Sequence, residues 1–204
     1  MNKICIFGGT FNPIHNGHIS LAKEAYAKMN FDKFIFVPTG NSYMKKDCID
    51  KYHRYNMVKL ATKDLPFCEV SDIEINREGP SYTFETVLYY KNLYPDSKLY
   101  FLMGEDSLRY LKSWKNPEII CKYSEPVVIT RPDNPFNYDI SSKDELSILT
   151  KNIEKEYNTR IHLINYQYNL SSTEVRKKIH DKKVIAEYIS AEVYEYIKEH
   201  NLYN

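Results

Sequence analysis

The sequence predicts an α/β protein with a doubly wound parallel sheet, because short apolar runs alternate with segments of helical period along its 204 residues. The first run, at residues 3–7, is unbroken and apolar, as expected for a strand covered on both faces. Strands separated by helices pair in parallel through right-handed crossovers, which indicates a Rossmann-like sheet. No repeat, low-complexity tract or flexible linker interrupts the pattern, so we predict a single domain over residues 1–204 with helices at its C-terminal end.

The individual elements follow from local patterns. Apolar and β-branched runs predict strands at residues 3–7, 34–37, 68–70, 98–103, 126–129 and 160–164. Helical spacing of apolar residues predicts a helix that begins near Gly17 or His18, and further helices at 51–63, after residue 83, at 172–179 and at 191–200. Residues 134–158 carry no motif that indicates a structure or a function.

Charge and cysteine content exclude several classes of protein. Twenty-eight Lys and Arg against 27 Asp and Glu give a net charge of +1, which provides no general attraction to nucleic acid or to an acidic membrane. The four cysteines are far apart without a C-x-x-C pair, and neither a signal peptide nor a long apolar run is present. We therefore expect a protein of the reducing cytoplasm that binds neither nucleic acid nor membrane.

The segment after the first strand, G-G-T-F-N-P-I-H-N-G-H at residues 8–18, has the features of an anion site. The two glycines, Gly8 and Gly9, allow close approach of a ligand to the backbone, and the next helix begins with unpaired N–H groups. His15 and His18, three residues apart, could flank one phosphate. A tight turn, a metal site and polar residues at a helix start are the alternatives. Neither G-x-x-x-x-G-K-[ST] nor G-x-G-x-x-G occurs here, which argues against P-loop enzymes and dehydrogenases.

A second segment, L-S-S-T-E-V-R at residues 170–176, could complete that site. Ser171 and Glu174 have the spacing of a capping box, so an ordinary capped helix is the simplest interpretation. That interpretation assigns nothing to Thr173 and Arg176. A helix start rich in hydroxyls adds donors, and an arginine one turn later adds a two-pronged phosphate contact.

Together, about 155 residues apart and in this order, the two segments resemble the signatures of adenylyltransferases with a (T/S)-x-x-H motif. The resemblance is closer to the bacterial nicotinate mononucleotide adenylyltransferases, although this chain has Asn12 where that family often has Asp. It implies that His15 and His18 contact ATP phosphates and stabilise charge, and that Arg176 stabilises the leaving pyrophosphate. It also assigns phosphate binding to Gly8, Gly9, Thr10, Phe11, Ser171, Ser172 and Thr173.

The reaction that the resemblance implies is an in-line displacement at the α-phosphorus of ATP by the 5′-phosphate of nicotinate mononucleotide. Positioning and charge stabilisation account for such catalysis, since no covalent step on the protein is needed. We expect Mg²⁺ with the ATP, held by the nucleotide and water rather than by protein ligands.

The mononucleotide pocket is assigned by further matches to the same family. The segment G-P-S-Y-T-F-E-T at 79–86 implies that Ser81, Tyr82 and Thr83 receive the nicotinate carboxylate on N–H groups, the alternative being a helix cap at Ser81 or Thr83. The remaining matches assign Asp106 to ribose hydroxyls, with an N-cap as its alternative role, and Trp114 to the pyridine ring, with core packing as its alternative role. They also assign Arg131 to the nucleotide and Lys45 to a phosphate.

Lys45 and its neighbour Lys46 lie in an atypical version of a family P-P-H-K loop, and both could instead be solvated. His53 and Arg54 resemble a family H-R pair at the start of a helix, for which surface solvation is the competing interpretation.

Four rival functions remain open. Phosphopantetheine adenylyltransferases share both phosphate motifs but lack the S-Y-T and G-x-D…W segments present here. Nicotinamide mononucleotide is the amide counterpart of the proposed substrate, and no sequence rule separates the two. A non-catalytic nucleotide-binding module should have a damaged His pair or lack Arg176, and both are intact. A dehydrogenase would bind NAD as a cofactor rather than make a compound of that type. Homo-oligomerisation stays open.

Overall fold

Six strands form one sheet in the computed structural model, which describes residues 1–41, 48–130, 141–167, 170–181, 183 and 185–203. The strands are β1 Lys3–Gly9, β2 Lys33–Pro38, β3 Cys68–Val70, β4 Lys98–Gly104, β5 Ser124–Thr130 and β6 His162–Asn165. Their hydrogen-bonded order is β3-β2-β1-β4-β5-β6. The pairs β1–β4, β2–β3, β4–β5 and β5–β6 are all parallel. The predicted doubly wound α/β class is confirmed.

Eight α-helices occur in the described residues, and five of them were expected. The helices are α1 Asn16–Met29, α2 Lys51–Thr62, α3 Thr83–Leu93, α4 Glu105–Tyr110, α5 Pro117–Tyr123, α6 Ser141–Tyr157, α7 Ser172–His180 and α8 Ala191–Glu199. The sequence predicted α1, α2, α3, α7 and α8 with ends displaced by one or two residues. Helix α6 occupies most of the segment to which no structure had been assigned, and it buries Ile153 completely.

Close contacts divide the chain into two compact units. The first contains Met1–Phe7 and Tyr82–Asn169, and the second contains Gly8–Ser81 and Leu170–Asn204. The single domain expected from the sequence stays a prediction.

In the first unit, the central strands are covered on both faces, as their apolar runs predicted. Leu102, Val127 and Val128 have no exposed surface, and β4 pairs with β5 over six residues. At the start of β5, the Glu125 carboxylate accepts from Lys98 Nζ at 2.8 Å and lies 2.7 Å from His162 Nε2. Burial opposes ionisation of Glu125, but hydrogen bonds from Lys98 and His162 outweigh it and hold the carboxyl pKa below its usual range.

In the second unit, aromatic side chains of β2 form the core, and α8 packs against α2. Phe34 and Phe36 are fully buried with ring centroids 5.4 Å apart. Lys63 of α2 pairs with Glu192 of α8 at 2.9 Å. These contacts fix the helix that leads to Tyr203. Across both units, no helix among the described residues is long and apolar enough to cross a membrane.

Candidate active site

The loop after β1 is shaped by an aromatic ring folded back over a glycine. Phe11 adopts a left-handed backbone with φ of 46°, which costs energy for a residue with a side chain. Its ring is 98% buried, which offsets that cost. A Cβ on Gly9 would lie 2.7 Å from Cζ of this ring, so only glycine fits beside it.

The two predicted catalytic histidines lie face to face at the start of α1. Their ring centroids are 3.7 Å apart with an interplanar angle of 27°. The His15 backbone N–H donates to His18 Nδ1 at 3.3 Å. An Nδ1 that accepts a hydrogen bond carries no proton, so the neutral His18 ring keeps its proton on Nε2. His18 is thereby set as a hydrogen-bond donor, the role that phosphate oxygens require.

The carbonyl groups of the first half of the loop are held by other parts of the second unit. Thr39 N–H donates to Gly9 O at 2.9 Å, and Arg54 Nη1 donates to Thr10 O at 2.8 Å. In a trans peptide the N–H points opposite to the C=O. The N–H groups of Thr10 and Phe11 therefore point away from these partners.

The second half of the loop is held in the same way by α7. Arg176 Nη1 donates to Asn12 O at 2.8 Å, and the Ser172 hydroxyl donates to Pro13 O at 3.0 Å. With Gly9 O, Thr10 O and Pro13 O engaged elsewhere, the N–H groups of the same peptides, at Thr10, Phe11 and Ile14, point away from those partners, as in an anion-binding nest. The Asn12–Pro13 peptide has no N–H, so Arg176 holds its carbonyl without orienting a donor.

Arg54 of α2 supports this loop from within the core, a role that the sequence left open against solvation at the surface. Its side chain is 98% buried, so the surface-solvated interpretation is wrong. Besides Thr10 O, its guanidinium donates to Ile49 O at 3.2 Å and to Gly40 O at 2.8 Å. Burial lowers its pKa, and nearby groups that favour the cation, Cys48 first among them, only partly oppose that shift. The single signal in the sequence was the resemblance of His53-Arg54 to a family pair.

At the start of α7 the capping box is confirmed, and it occupies the Ser171 hydroxyl, while the Ser172 hydroxyl donates to Pro13 O. Ser171 Oγ accepts from Glu174 N–H at 3.2 Å, while Ser171 N–H donates to Glu174 Oε2 at 2.9 Å. Those bonds hold the pKa of Glu174 below its usual range. The Thr173 hydroxyl accepts from Arg176 Nη2 at 3.1 Å. Phosphate contacts predicted for Ser172 and Thr173 would therefore come mainly from backbone N–H groups, whereas the capping box engages both the N–H and the hydroxyl of Ser171.

Arg176 is pre-oriented while keeping donors for a ligand. Its bonds to Asn12 O and to the Thr173 hydroxyl use two of the five N–H groups of a guanidinium. Within the described part of the chain, no other hydrogen bond occupies the rest. Such an arrangement suits a two-pronged contact with phosphate oxygens.

The residues assigned to the carboxylate lie at the start of α3, and the alternative role of Ser81 or Thr83 as a helix cap is wrong. The N-cap position is Tyr82, which makes no side-chain capping bond, so neither Ser81 nor Thr83 is the cap. Ser81 N–H donates to Asn41 O at 3.0 Å, and its buried hydroxyl has no hydrogen-bond partner among the described residues. Lys115 Nζ lies 4.2 Å from the centre of the Tyr82 ring.

After β4, the structure separates two adjacent carboxylates. Asp106 is exposed in the first turn of α4, and Gly104 rather than Asp106 is the N-cap, so the capping alternative is wrong. Glu105, which the sequence analysis did not single out, is buried and pairs with Arg109 at 2.7 Å. Trp114 packs edge-on against Phe101 with centroids 6.2 Å apart. Its indole N–H is buried with no hydrogen-bond partner in the described ranges.

The structure thus brings one predicted set together in the second unit: His15, His18, Arg176, Gly8, Gly9, Thr10, Phe11, Ser171, Ser172 and Thr173. Tyr82, Thr83, Asp106 and Trp114 belong to the first unit, and Ser81 ends a segment of the second. Lys45 and Arg131 lie outside the described residues. Over the residues described, no three His, Cys, Asp or Glu side chains form a metal-binding group.

The sequence matches the family described as cytidylyltransferase-like over residues 6–178, which places the chain in that class of nucleotidyltransferases. A Clostridium tetani protein named probable nicotinate-nucleotide adenylyltransferase is 38% identical over 206 residues, covering 100% of each chain. A Clostridium perfringens protein of the same name is 39% identical and covers 100% of this chain and 98% of its own. The chain belongs to the nicotinate-nucleotide adenylyltransferase family.

A solved structure supports the fold. The Plasmodium falciparum nicotinic acid mononucleotide adenylyltransferase complexed with NaAD matches with a TM-score of 0.79 at 22% identity. The match covers 100% of this chain and 98% of that chain.

Proposed function

We propose that this chain transfers the AMP moiety of ATP to nicotinate mononucleotide, giving nicotinate adenine dinucleotide and pyrophosphate in NAD biosynthesis. The observation that carries the proposal is the convergence of His15, His18 and Arg176 on one loop with engaged carbonyls. A relative that matches this chain over its full length carries the corresponding name, and a protein of the same fold was solved with NaAD.

In this reaction an oxygen of the mononucleotide 5′-phosphate forms a bond to the α-phosphorus of ATP. The bond from that phosphorus to the oxygen bridging to the β-phosphorus breaks, and pyrophosphate leaves with the electron pair. The loop N–H groups and His18 Nε2 stabilise charge on the α-phosphate as it is attacked. Arg176 stabilises charge on the departing pyrophosphate. Mg²⁺ enters with ATP and neutralises phosphate charge, held by the nucleotide and water.

The acceptor side of the proposal rests on the first unit. N–H groups at the start of α3 receive the nicotinate carboxylate, Asp106 binds ribose hydroxyls and Trp114 packs against the pyridine ring. The exposure of Asp106 in a first helical turn is consistent with that role. We place the enzyme in the reducing cytoplasm, where its four cysteines stay as free thiols.

The test is pyrophosphate release from Mg-ATP, with nicotinate mononucleotide, nicotinamide mononucleotide and phosphopantetheine offered separately. Preference for the nicotinate acid supports the proposal. Preference for the amide or for phosphopantetheine would keep the phosphate chemistry and replace the acceptor. No release with any of them would indicate a binding module instead.

A matched variant separates chemistry from binding. His18→Ala should lower kcat by about 100-fold and change KM for ATP much less, since its contact strengthens in the transition state. Equal losses in both constants would restrict His18 to ground-state binding. His180→Ala is the control, because that ring is exposed at the far end of α7.

A further inference from the structure

Tyr203, in the turn after α8, reaches across 191 positions of sequence to the loop between β1 and α1, residues 10–15, which we call the phosphate loop after its proposed role. Its hydroxyl donates to Asn12 Oδ1 at 2.8 Å, and Asn12 is 95% buried. The Tyr203 backbone has a left-handed φ of 65°, a conformation that side-chain-bearing residues rarely adopt without compensation. Burial raises the phenol pKa above its ordinary value, so the hydroxyl remains a protonated donor at physiological pH.

Asn12 connects Tyr203 to the predicted pyrophosphate-binding arginine. The Asn12 side chain is held by Tyr203, while its main-chain carbonyl accepts from Arg176 Nη1 at 2.8 Å. A change in the orientation of Asn12 would therefore move the acceptor that orients the guanidinium. The Tyr203 phenol is close enough to the Arg176 and Arg54 guanidiniums for both charges to act on its titration.

Anchoring of α8 does not depend on this hydroxyl. The helix is already joined to α2 by the Lys63–Glu192 ion pair, and Tyr196 OH lies 3.0 Å from both His53 Nδ1 and Asn56 Nδ2. Leu202, next to Tyr203, is itself buried and donates its N–H to Ile197 O. Packing of α8 therefore does not require the Tyr203 hydroxyl, whose hydrogen bond goes to the loop.

We propose that Tyr203 is a positioning residue for catalysis, which fixes Asn12 and through it aligns Arg176 with the leaving pyrophosphate. This inference rests on the proposed function and adds a residue that touches no substrate. Because the charge on pyrophosphate develops during the reaction, misalignment of Arg176 affects the transition state more than the bound ATP. Tyr203→Phe should therefore reduce kcat about five- to tenfold and change KM for ATP less than about twofold.

Tyr196→Phe is the matched control. It removes a tyrosine hydroxyl of α8 that has two hydrogen-bond neighbours on α2, and none of these groups belongs to the loop. It should lower the melting temperature while leaving kcat within about twofold of wild type. A Tyr203→Phe enzyme whose kinetic constants match those of Tyr196→Phe would overturn the proposal.

Two further measurements identify the route through Arg176. The inhibition constant of pyrophosphate should rise about three- to tenfold in Tyr203→Phe, because pyrophosphate carries the charge that Arg176 binds. In an Arg176→Ala background, Tyr203→Phe should lower kcat by less than about twofold. An unchanged pyrophosphate constant, or a full independent loss in that background, would refute the route. Wild type inactive with every acceptor would instead refute the proposed function.

Discussion

Arg54→Met tests whether the phosphate loop depends on a residue beneath it. Methionine is unbranched and of similar length, so it fills the space of the side chain but donates no hydrogen bond. The substitution leaves three carbonyls without their guanidinium donors: Thr10 O, Gly40 O and Ile49 O. Thr10 O belongs to the loop itself, and Gly40 follows Thr39, whose N–H donates to Gly9 O at the start of the loop.

The magnitude follows from those three bonds and from the burial of the cation. Each bond from a charged donor contributes about 1.5–3 kcal/mol, and relief of guanidinium desolvation on substitution offsets part of that sum. We expect a net loss of about 3–5 kcal/mol in the free energy of unfolding, which corresponds to a fall of roughly 10 °C in melting temperature for a chain of this length. The protein should remain folded at 25 °C, since such domains are stable by about 5–15 kcal/mol.

The assay pairs thermal unfolding with steady-state kinetics at 25 °C. Released carbonyls allow the Thr10 peptide to rotate, so KM for ATP should rise about tenfold or more while the fold persists. Arg160→Met is the control, because Arg160 is exposed. If the free energy of unfolding of Arg54→Met lies within about 1 kcal/mol of wild type and KM for ATP is unchanged, the reasoning is refuted and water replaces the guanidinium.

Three other substitutions or reactions test separate features. Glu125→Gln removes the carboxylate of the Lys98–Glu125–His162 cluster. Because the carboxyl pKa is lowered in the folded state, its stabilisation is present above about pH 4.5 and is lost as pH falls through the folded-state pKa. The variant should therefore unfold with about 1 kcal/mol less free energy than wild type at pH 7, and this difference should vanish in acid; a difference that stays constant with pH would contradict the reasoning. Burial raises the pKa of Cys121 to about 12, so iodoacetamide at pH 8 should label it about 1000-fold more slowly than an ordinary thiol, and rapid labelling in native protein would contradict the buried position. Gly9→Ala places a Cβ 2.7 Å from the ring beneath it and should lower kcat/KM for ATP about tenfold or more, whereas wild-type kinetics would mean that the ring moves freely.

The sheet was predictable because each central strand is an apolar run between turn residues. The expected strand at 98–103 matches β4 within one residue, since both faces are covered and the side chains from Leu99 to Met103 are all buried. Helices α4 and α5 were not predicted, because six or seven residues contain too few turns to show a helical period. In α6 the apolar positions are separated by charged residues, and Ile148 is exposed, which obscures the buried face.

At the candidate site, the residues proposed to contact phosphate were easier to locate from the sequence than the residues that hold the loop. Short segments with glycine, histidine and hydroxyl residues have recognisable chemistry, so the His pair and the capping box at α7 could be located. Arg54 stands among polar residues at a helix start, and its acceptor Thr10 O lies 44 positions away. Tyr203 contacts Asn12 across 191 positions, and no local pattern contains that information.

The orientation of the loop peptides depends on these distant residues. A loop with glycines can turn either its N–H groups or its carbonyl oxygens toward a ligand, and oxygens facing a triphosphate would repel it. Here Thr39, Arg54 and Ser172 each engage the carbonyl of a loop peptide that also carries an N–H, so the alternative orientation would break three hydrogen bonds at once. The donors are therefore oriented before ATP arrives, and binding does not have to supply the free energy of rotating the peptides.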